Sequence, residues 1–403
     1  MWNKPGPKGG ERARIRSPDP ESEKRGRQVE RYNKKFLKYL NKDKDNNYKS
    51  FQSLPLGAEG QSPLRAGELA GVSLKVLIIR LSSIGDIVLT TPVVRCLKQQ
   101  LPNAEIHYLT KYSFREILQS NPYIDKLHLL EENFEQVIMK LKKENFDYII
   151  DLHHNLRTLK IKQALKKVKA YSLNKLNVRK WFLTAFKINL LPPVHIVDRY
   201  LETVKFFGVV NDRRGLDYFI STEDIVPDKD IPASHSLGYI GIVIGAAHNT
   251  KKLPLHKLKE LCVQINHPII LLGGQEDRKA GEEIASTDPI KVYNSCGKFS
   301  LNESADLVRR AKIIITHDTG LMHIASAFKK PIISVWGNTV PLFGMTAYFG
   351  NSMVPDIKFE VKRLWCRPCS KIGYKKCPLG HFNCMEKHAI ADVAQVAERG
   401  IRS

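Results

Sequence analysis

The chain alternates between two kinds of apolar pattern over most of its length, and this alternation limits its fold more than any other feature. From Leu74 onward, short continuous apolar runs typical of buried strands are separated by segments with apolar residues at helical spacing. A second series of the same kind begins at Tyr239. Strands that alternate with helices form parallel sheets covered by helices on both faces. We therefore expect an α/β protein with two Rossmann-like, doubly wound parallel-sheet domains.

A stretch with several Pro and Ser residues separates the two series. We expect a first domain at 73–222, a linker at 223–237, a second domain at 238–388 and a C-terminal helix at 389–403. Residues 1–72 are polar and rich in Lys, Arg, Glu, Pro and Gly, so we expect a disordered basic tail there.

One piece of the tail has a helical apolar face, formed by Val29, Tyr32, Phe36 and Leu40. Basic residues surround this face, as in helices that lie on an anionic membrane. A short helix that is docked on the protein or formed only transiently is the preferred alternative.

The net charge of +23 favours an anionic partner, whether nucleic acid, an anionic membrane face or a phosphorylated substrate. No acidic residue stands between Asp151 and Asp198, a stretch that holds ten Lys and Arg residues. Trp181, Phe182 and Phe186 lie among the last of these cations. We expect the basic residues to meet an anionic group, with a merely soluble basic face as the alternative. We expect Trp181 and Phe182 to pack in the core, with contact to acyl chains or sugar as the alternative.

The sequence has no apolar run of transmembrane length and no apolar centre of a secretion signal near its N-terminus. Seven cysteines in 403 residues do not resemble a secreted disulfide scaffold. A reducing cytoplasm is the expected location.

Two strand-to-helix turns carry residue types suited to binding and catalysis. The run that begins at Ile313 stops at a short polar turn, and Asp318 or Thr319 is placed to cap the helix that starts at Gly320. A helix N-terminus of this kind suits a phosphate group. In the first series, the turn from Ser82 to Asp86 follows a strand in the same way. Neither turn has the Gly-x-Gly-x-x-Gly pattern, which disfavours a nicotinamide or flavin cofactor.

These two turns resemble the hallmark segments of glycosyltransferase family nine, the lipopolysaccharide heptosyltransferases and their relatives. The similar segments are Arg80-Leu-Ser-Ser-Ile-Gly-Asp86-Ile-Val-Leu-Thr-Thr-Pro and His317-Asp-Thr-Gly-Leu-Met-His323. The resemblance covers Leu74 to the C-terminus. It implies GT-B architecture, in which two domains face a cleft, and inverting transfer of a sugar, with a heptose as first candidate. No metal or other cofactor is implied.

The resemblance also implies site residues. Asp86 matches the catalytic base, and an inverting displacement needs a carboxylate to take the proton of the acceptor hydroxyl. Lys251 matches a lysine that neutralises the donor diphosphate, and Glu276 matches an acid that binds the ribose. Residues that match the rest of the donor loop are Asp318, Thr319, Gly320 and His323. The acceptor side is expected to include Ser83, Gly85, Asn155 and Arg157.

The implied partners are a nucleotide-diphosphate-sugar donor, with ADP-heptose first, and a phosphorylated lipid A-core type glycolipid acceptor. Peripheral contact with the anionic inner face of the inner membrane is expected, and nucleic acid is not. A nucleotide-linked hexose is the alternative donor, because Gly245-Ala246-Ala247-His248 stands where the family often has hydroxyl residues. The alternative of another class is a non-catalytic basic protein that binds nucleic acid or an anionic membrane.

Four cysteines concentrate in a short segment near the C-terminus. A Cys-x-x-Cys pair with two further cysteines suits a zinc site of four thiolates. The spacing is uneven for such a site, so reduced structural thiols are the preferred interpretation and zinc is second. The candidate zinc ligands are Cys366, Cys369, Cys377 and Cys384.

Overall fold

Two parallel β-sheets organise the residues that the computed structural model describes, 73–402. The predicted basic tail and its amphipathic segment lie outside these residues. In the first sheet the strand order is β3-β2-β1-β4-β5, and in the second it is β11-β10-β9-β6-β7-β8. The strands are β1 (Leu74–Ile79), β2 (Ala104–Lys111), β3 (Lys126–Leu130), β4 (Tyr148–Asp151), β5 (Lys169–Ser172), β6 (Ile240–Val243), β7 (Ile269–Leu272), β8 (Val292–Asn294), β9 (Ile313–Thr316), β10 (Ile332–Trp336) and β11 (Asp356–Glu360).

Helices connect these strands and cover the sheets, which explains why β1 and β7 are apolar on both faces. The expectation of two doubly wound parallel sheets is confirmed. The α-helices of residues 73–402 are α1 (Ile84–Val88), α2 (Thr91–Gln100), α3 (Phe134–Lys143), α4 (Leu156–Ala164), α5 (Asn177–Phe186), α6 (Ile196–Leu201), α7 (Leu255–Gln264), α8 (Arg278–Ala285), α9 (Leu301–Arg310), α10 (Gly320–Ala327), α11 (Asn383–Glu386) and α12 (Ile390–Arg402).

Short 3-10 helices occupy many of the connections. They are Tyr112–Ile117, Glu202–Phe207, Thr222–Asp224, Asp228–Asp230, Ala233–His235, Asn249–Lys251, Gln275–Asp277 and Pro341–Phe343. Four of them, from Glu202–Phe207 to Ala233–His235, lie in the chain between the two sheets. The predicted domain boundaries, 73–222, 223–237, 238–388 and 389–403, stay a proposal.

The order in which successive strands are added across the sheet reverses at the centre of each sheet. β1 lies between β2 and β4 in the first sheet, and β6 lies between β7 and β9 in the second. In open parallel sheets, ligands bind outside the carboxyl ends of the strands at such a reversal. The turns that follow β1, β4, β6 and β9 are therefore the places where the fold favours a site.

One helix predicted by the apolar spacing is two helices in the structure. The pattern from Ile87 to Leu101 predicts a single helix, but α1 ends at Val88 and α2 begins at Thr91. Pro92 stands in the first turn of α2, where its missing N–H removes no intrahelical bond. The hydroxyl of Thr91 donates to the carbonyl of Val88 at 2.8 Å. Pro92 thus starts a new helix instead of continuing the first.

Two strands were not predicted. β5 lies in the basic stretch, whose pattern predicts helical segments, and β11 follows β10 near the C-terminus. Both are edge strands, paired with β4 and β10 respectively. Their side chains are partly exposed, so they lack the continuous apolar run that marks a central strand.

A single apolar cluster joins the two sheets. It includes Val93 and Tyr108 of the first domain and Ile314 and Met322 of the second. The C-terminal helix α12 belongs to a different cluster and packs against α7 of the second domain. None of the helices in residues 73–402 is long and apolar enough to span a bilayer.

Candidate active site between the two sheets

The turns at the centres of the two sheets contact each other through glycine residues. A Cβ atom on Gly85 of α1 would lie 2.5 Å from Cδ2 of His323 in α10. A Cβ atom on Gly320 at the start of α10 would lie 2.7 Å from Cγ2 of Ile84. These distances leave no room for a side chain at either position. The two turns that carry the motifs therefore lie in direct contact with each other.

Asp86 lies in the first turn of α1 with its side chain 22% exposed. One carboxylate oxygen is 2.7 Å from Nη2 of Arg80, and the other accepts a hydrogen bond from Oγ of Ser83 at 2.8 Å. Burial raises the pKa of the Asp86 carboxyl, but the Arg80 charge and the hydrogen bonds from Ser83 outweigh it, so the pKa lies below its ordinary value. Asp86 is an ionised carboxylate held in one orientation.

Arg80 also connects two loops of the first domain. Its guanidinium donates to the carbonyl of Leu152 at 2.6 Å and to the carbonyl of Ser82 at 2.7 Å. It therefore links the ends of β1 and β4 and orients Asp86. Arg80 is part of the first motif, and its place at the end of a buried strand is the signal in the sequence for this role.

Lys251 reaches the turn at the start of α10. Its Nζ lies 2.6 Å from Oδ2 of Asp318, which also accepts a hydrogen bond from the Thr339 hydroxyl at 2.9 Å. Burial lowers the pKa of His317 to about 3, so its imidazole is neutral, and Nε2 accepts a hydrogen bond from the N–H of Leu253 at 3.0 Å. The Lys251 loop and the Asp318 turn are thereby held together.

Lys252, the neighbour of Lys251, contacts a different group. Its Nζ lies 2.7 Å from Oδ1 of Asp277, a buried carboxylate. Asp277 also accepts a hydrogen bond from the N–H of Gly274 at 3.1 Å. Lys252 therefore stabilises the turn after β7, and only Lys251 of the pair contacts the Asp318 turn.

The N-terminus of α10 is not capped by a side chain. Thr319 occupies the N-cap position, but its side chain makes no capping hydrogen bond. Its hydroxyl lies 3.4 Å from that of Thr316. The alternative cap, Asp318, instead pairs with Lys251. The first N–H groups of α10 are consequently available to a ligand.

His323 lies one turn further into α10 and is buried. Burial lowers its pKa to about 4, while the negative charges of Asp318 and Asp86 act in the opposite direction. Its Nδ1 has no hydrogen-bond partner within the described residues. His323 fills the space opposite Gly85 and so joins the two turns, a position that the motif alone did not indicate.

Glu276 is exposed in the 3-10 turn that follows β7. β7 pairs directly with β6, so this carboxylate stands beside the loop that carries Lys251. The predicted donor residues Lys251, Glu276, Asp318, Thr319, Gly320 and His323 all follow the carboxyl ends of strands in the second sheet.

The predicted acceptor residues have local roles in the structure. Ser83 donates to Asp86, and Gly85 lies against His323. Asn155 caps α4 by accepting a hydrogen bond from the N–H of Thr158 at 2.9 Å, and Arg157 is exposed on the same helix. Their contact with an acceptor stays a prediction.

Four cations lie close enough for their charges to interact, and two of them, Lys175 and Lys180, also interact with the charge of Asp86. Burial lowers the pKa of Lys180 to about 8, and the nearby charges of Arg199, Lys371 and Lys175 act in the same direction, whereas Asp86 opposes them. Burial likewise lowers the pKa of Lys175. Lys371 comes from the second domain, and its Nζ lies 3.5 Å from Oδ1 of Asn177 in α5. Lys175 and Lys180 belong to the acid-free stretch found in the sequence, but Arg199 and Lys371 were missed because they lie elsewhere in the chain.

One group of residues has metal-ligand spacing within 73–402: His107, His128 and Glu144, whose ligand atoms lie within 4.8 Å of one another. These atoms already have protein partners. The two imidazoles are 2.9 Å apart, and Glu144 lies 2.6 Å from Nζ of Lys126. This arrangement satisfies the group through the protein itself.

The four candidate zinc ligands are free cysteines of the second domain. Burial raises the pKa of Cys384 to about 12, which favours a thiol over the thiolate that zinc requires. No three of their sulfur atoms gather within 4.8 Å among the described residues. The zinc site stays a prediction, and metal analysis of the purified protein tests it.

The comparisons with known proteins agree with this geometry. The family model of glycosyltransferase family 9 (heptosyltransferase) matches residues 135–373, more than half of the chain. Lipopolysaccharide heptosyltransferase 1 of Campylobacter coli is 26% identical over 290 residues, which are 66% of this chain and 84% of the relative. Lipooligosaccharide heptosyltransferase 2 of Haemophilus influenzae is 26% identical over 303 residues, with 67% and 85% covered.

Solved structures show the same fold. The family 9 glycosyltransferase of Veillonella parvula aligns with a TM-score of 0.66 at 20% identity, covering 82% of this chain and 98% of that one. Escherichia coli heptosyltransferase WaaC with ADP aligns with a TM-score of 0.59 at 19% identity, covering 81% and 100%. The expected GT-B type of fold is confirmed. The chain belongs to glycosyltransferase family 9, the heptosyltransferase family.

Proposed function

We propose that this protein is an inverting, metal-independent glycosyltransferase that moves a heptose from ADP-heptose to a phosphorylated lipid A-core type acceptor. One observation carries the proposal: Asp86 and the Lys251–Asp318 pair lie on two turns that meet at Gly85 and Gly320. A base and a diphosphate-binding turn thus face a single crevice. The names of the relatives, lipopolysaccharide and lipooligosaccharide heptosyltransferases, support the choice of acceptor.

On the donor side, Lys251 and the uncapped N-terminus of α10 bind the diphosphate. Both offer positive charge where negative charge grows as the sugar leaves. Glu276 binds the ribose hydroxyls from the neighbouring turn. The solved structures of E. coli WaaC with ADP and with ADP-2-deoxy-2-fluoro heptose support an ADP-linked donor.

On the acceptor side, Asp86 accepts the proton of the attacking hydroxyl. The hydroxyl oxygen bonds to the anomeric carbon from the face opposite the diphosphate, and the bond from that carbon to the phosphate oxygen breaks. The configuration at the anomeric carbon is inverted, and ADP leaves with the bonding electrons. Lys175, Lys180 and Lys371 hold a phosphate of the acceptor, since cation clusters bind phosphate well.

In this scheme Lys251 and the α10 dipole stabilise the negative charge of the leaving diphosphate, so the reaction requires no divalent cation. The acceptor is lipid-linked, which places the enzyme in the cytoplasm at the inner face of the inner membrane. Its contact with that membrane is peripheral.

A thermal-shift series tests the donor. At a given ligand concentration, a ligand that binds the native state more tightly raises the melting temperature further. We expect ADP and ADP-heptose to raise it more than UDP and UDP-hexoses. Transfer to a lipid A-core acceptor, with the anomeric configuration of the product read by NMR, tests the reaction. No shift with any nucleotide diphosphate, or a product of retained configuration, contradicts the proposal.

The hexose alternative rests on Gly245-Ala246-Ala247-His248, which offers no hydroxyl side chain to the phosphates. A larger shift with a UDP-hexose than with ADP-heptose would select it.

A further inference from the structure

Helix α5 exposes its aromatic side chains instead of burying them. Trp181 is 54% exposed and Phe186 is 56% exposed, and their ring centroids lie 5.1 Å apart. Phe182 is half-buried and completes the aromatic group, with its ring centroid 5.2 Å from that of Trp181. The expectation that Trp181 packs in the core is therefore wrong. Leu183 attaches the helix to Val340 and Phe343 of the second domain and leaves the aromatic face open.

A second segment with exposed apolar residues adjoins α5. In residues 361–385 of the second domain, Trp365 is 76% exposed, and Ile372 and Leu379 are also exposed. Nζ of Lys187, just after α5, donates to the carbonyl of Pro368 at 2.8 Å. The contact between Lys371 and Asn177 described above is a second link. The exposed apolar side chains of the two domains thus occupy one region of surface.

Both segments lack acidic residues. Residues 152–197 contain ten Lys and Arg and no Asp or Glu, and residues 361–385 contain six Lys and Arg and no Asp or Glu. A solvated face normally mixes charges of both signs. Two acid-free segments from different domains meet here around exposed tryptophans. This combination of exposed Trp and Phe with surrounding cations is typical of surfaces that lie in the interface of an anionic bilayer.

Other partner classes fit this surface less well. The centres of protein–protein interfaces are depleted in Lys, whereas this surface is rich in it. Sites for single-stranded nucleic acid place aromatic rings along an open groove so that successive bases can stack. Trp181, Phe182 and Phe186 instead pack edge-on or tilted against one another on a single helix.

The surface adjoins the acceptor side of the crevice. Lys180 belongs to α5, and Lys371 belongs to the second segment; both lie near enough to each other and to Arg199 for their charges to interact. A glycolipid acceptor keeps its acyl chains in the bilayer. An enzyme docked beside Asp86 would reach the sugar without extracting the lipid.

We propose that α5 and residues 361–385 form a docking surface for an anionic lipid bilayer. Trp181, Phe186 and Trp365 insert among the lipid head groups, and the surrounding Lys and Arg side chains bind lipid phosphates. The choice of a bilayer rests on the proposed function, because that function supplies a lipid-linked acceptor. The binding itself requires no catalysis.

Vesicle binding by the full chain tests the docking surface. The probes are vesicles of phosphatidylcholine alone and of phosphatidylcholine mixed with phosphatidylglycerol, with binding measured by co-sedimentation. The test variant is W181S/F186S/W365S. The matched control is L237S/I290S, which removes exposed apolar side chains that lie outside both segments.

We expect the wild type to bind mixed vesicles more tightly than neutral ones. The triple variant should lose about tenfold or more of its partitioning, because interfacial binding scales with the apolar area that is buried. The L237S/I290S control should bind as the wild type does. Melting temperatures check that both variants fold.

Unchanged partitioning of the triple variant overturns the docking surface and leaves bulk charge as the cause of binding. Binding of RNA by the wild type and the triple variant is measured in parallel. If the variant loses RNA binding as much as vesicle binding, the docking surface is also overturned, in favour of a nucleic-acid site.

Transfer assays distinguish the docking surface from the proposed glycosyltransferase function. If the docking surface is correct, the triple variant still transfers sugar to a soluble, deacylated acceptor. Absence of transfer to any acceptor by the wild type, with vesicle binding intact, contradicts the proposed function alone.

Discussion

Asp86 shows how a carboxylate with a lowered pKa can still serve as the proposed base. Its ion pair with Arg80 keeps it ionised across the neutral range. The same pair makes it a weak base, but the acceptor hydroxyl becomes strongly acidic only as its oxygen bonds to the anomeric carbon. Orientation therefore matters more than basicity at this position, and Arg80 and Ser83 provide it.

Replacing Asp86 with Asn removes the proton acceptor while keeping the size of the side chain. We expect kcat to fall by about 10²- to 10⁴-fold, the usual contribution of general base catalysis. ADP should still raise the melting temperature, because Lys251 and Asp318 are untouched. Ser83→Ala is the control, since it removes one hydrogen bond to Asp86 and should reduce kcat less. Normal turnover of Asp86→Asn would exclude the role.

The adjacent lysines Lys251 and Lys252 form a matched pair. We expect Lys251→Ala to weaken ADP binding by about tenfold or more, the effect of losing one hydrogen bond to a charged group. We expect Lys252→Ala to lower the melting temperature instead, because buried Asp277 loses its partner. Calorimetric titration with ADP and thermal unfolding measure the two effects. The opposite pattern would assign the diphosphate to Lys252.

Lys180 makes acceptor use depend on pH. Burial is the main cause that lowers the pKa of Lys180 to about 8. The side chain is therefore charged at pH 7 and loses its proton as the pH rises through about 8. We expect kcat/KM for a phosphorylated acceptor to decline between pH 7 and 9, because this parameter follows ionisation in the free enzyme. The arginine of Lys180→Arg stays charged over this range, so this variant should not show the decline in kcat/KM between pH 7 and 9. An unchanged pH profile in that variant would show that another group is responsible.

At the scale of secondary structure elements, α1 and α10 determine whether the base and the diphosphate turn share a crevice. Each helix begins near a glycine that the other helix approaches. The contact requires the absence of a side chain and no unusual backbone conformation. Both glycines belong to the family motifs, and their shared role is to allow this approach.

Gly320→Ala should separate the two helices, because its Cβ would lie 2.7 Å from Cγ2 of Ile84. We expect transfer to fall by about tenfold or more, since small displacements of reacting groups have large effects on rate. Adding Ile84→Gly removes both Cγ2 and the Cβ atom that would lie 2.9 Å from the new methyl group, and should restore part of the activity. Full activity of Gly320→Ala alone would mean that this close approach is not needed.

At the scale of the whole molecule, two sheets of similar topology meet at the reversal points of their strand order. The shared apolar cluster, with Tyr108 on one side and Met322 on the other, makes their contact part of the core. The exposed aromatic residues and the excess of cations lie where the two domains adjoin.

This shared core predicts one cooperative thermal transition for the two domains. Domains with separate cores unfold independently, whereas a common apolar cluster couples them. We expect a single endotherm in scanning calorimetry of the ligand-free protein. Two resolved transitions, with only the second shifted by ADP, would show that the domains unfold separately.

Much of this architecture could be predicted from the sequence alone, because its signals are local and periodic. Apolar spacing predicts a strand at Lys126–Leu130 and a helix near Leu301–Arg310, and β3 and α9 have these bounds in the structure. Two motifs identified the turns that hold Asp86 and Asp318. The apolar pattern does not predict the edge strands β5 and β11, because a strand that is half exposed has no continuous apolar run.

Only the tertiary structure decided which of these residues act together. The pairing of Arg80 with Asp86, the choice of Lys251 over Lys252, and the arrival of Lys371 beside α5 all depend on contacts between distant parts of the chain. Trp181 is a large apolar residue of the kind usually buried, and it is nevertheless exposed. The sequence determined the sheets and the turns through short-range patterns, and long-range packing determined the site and the surface.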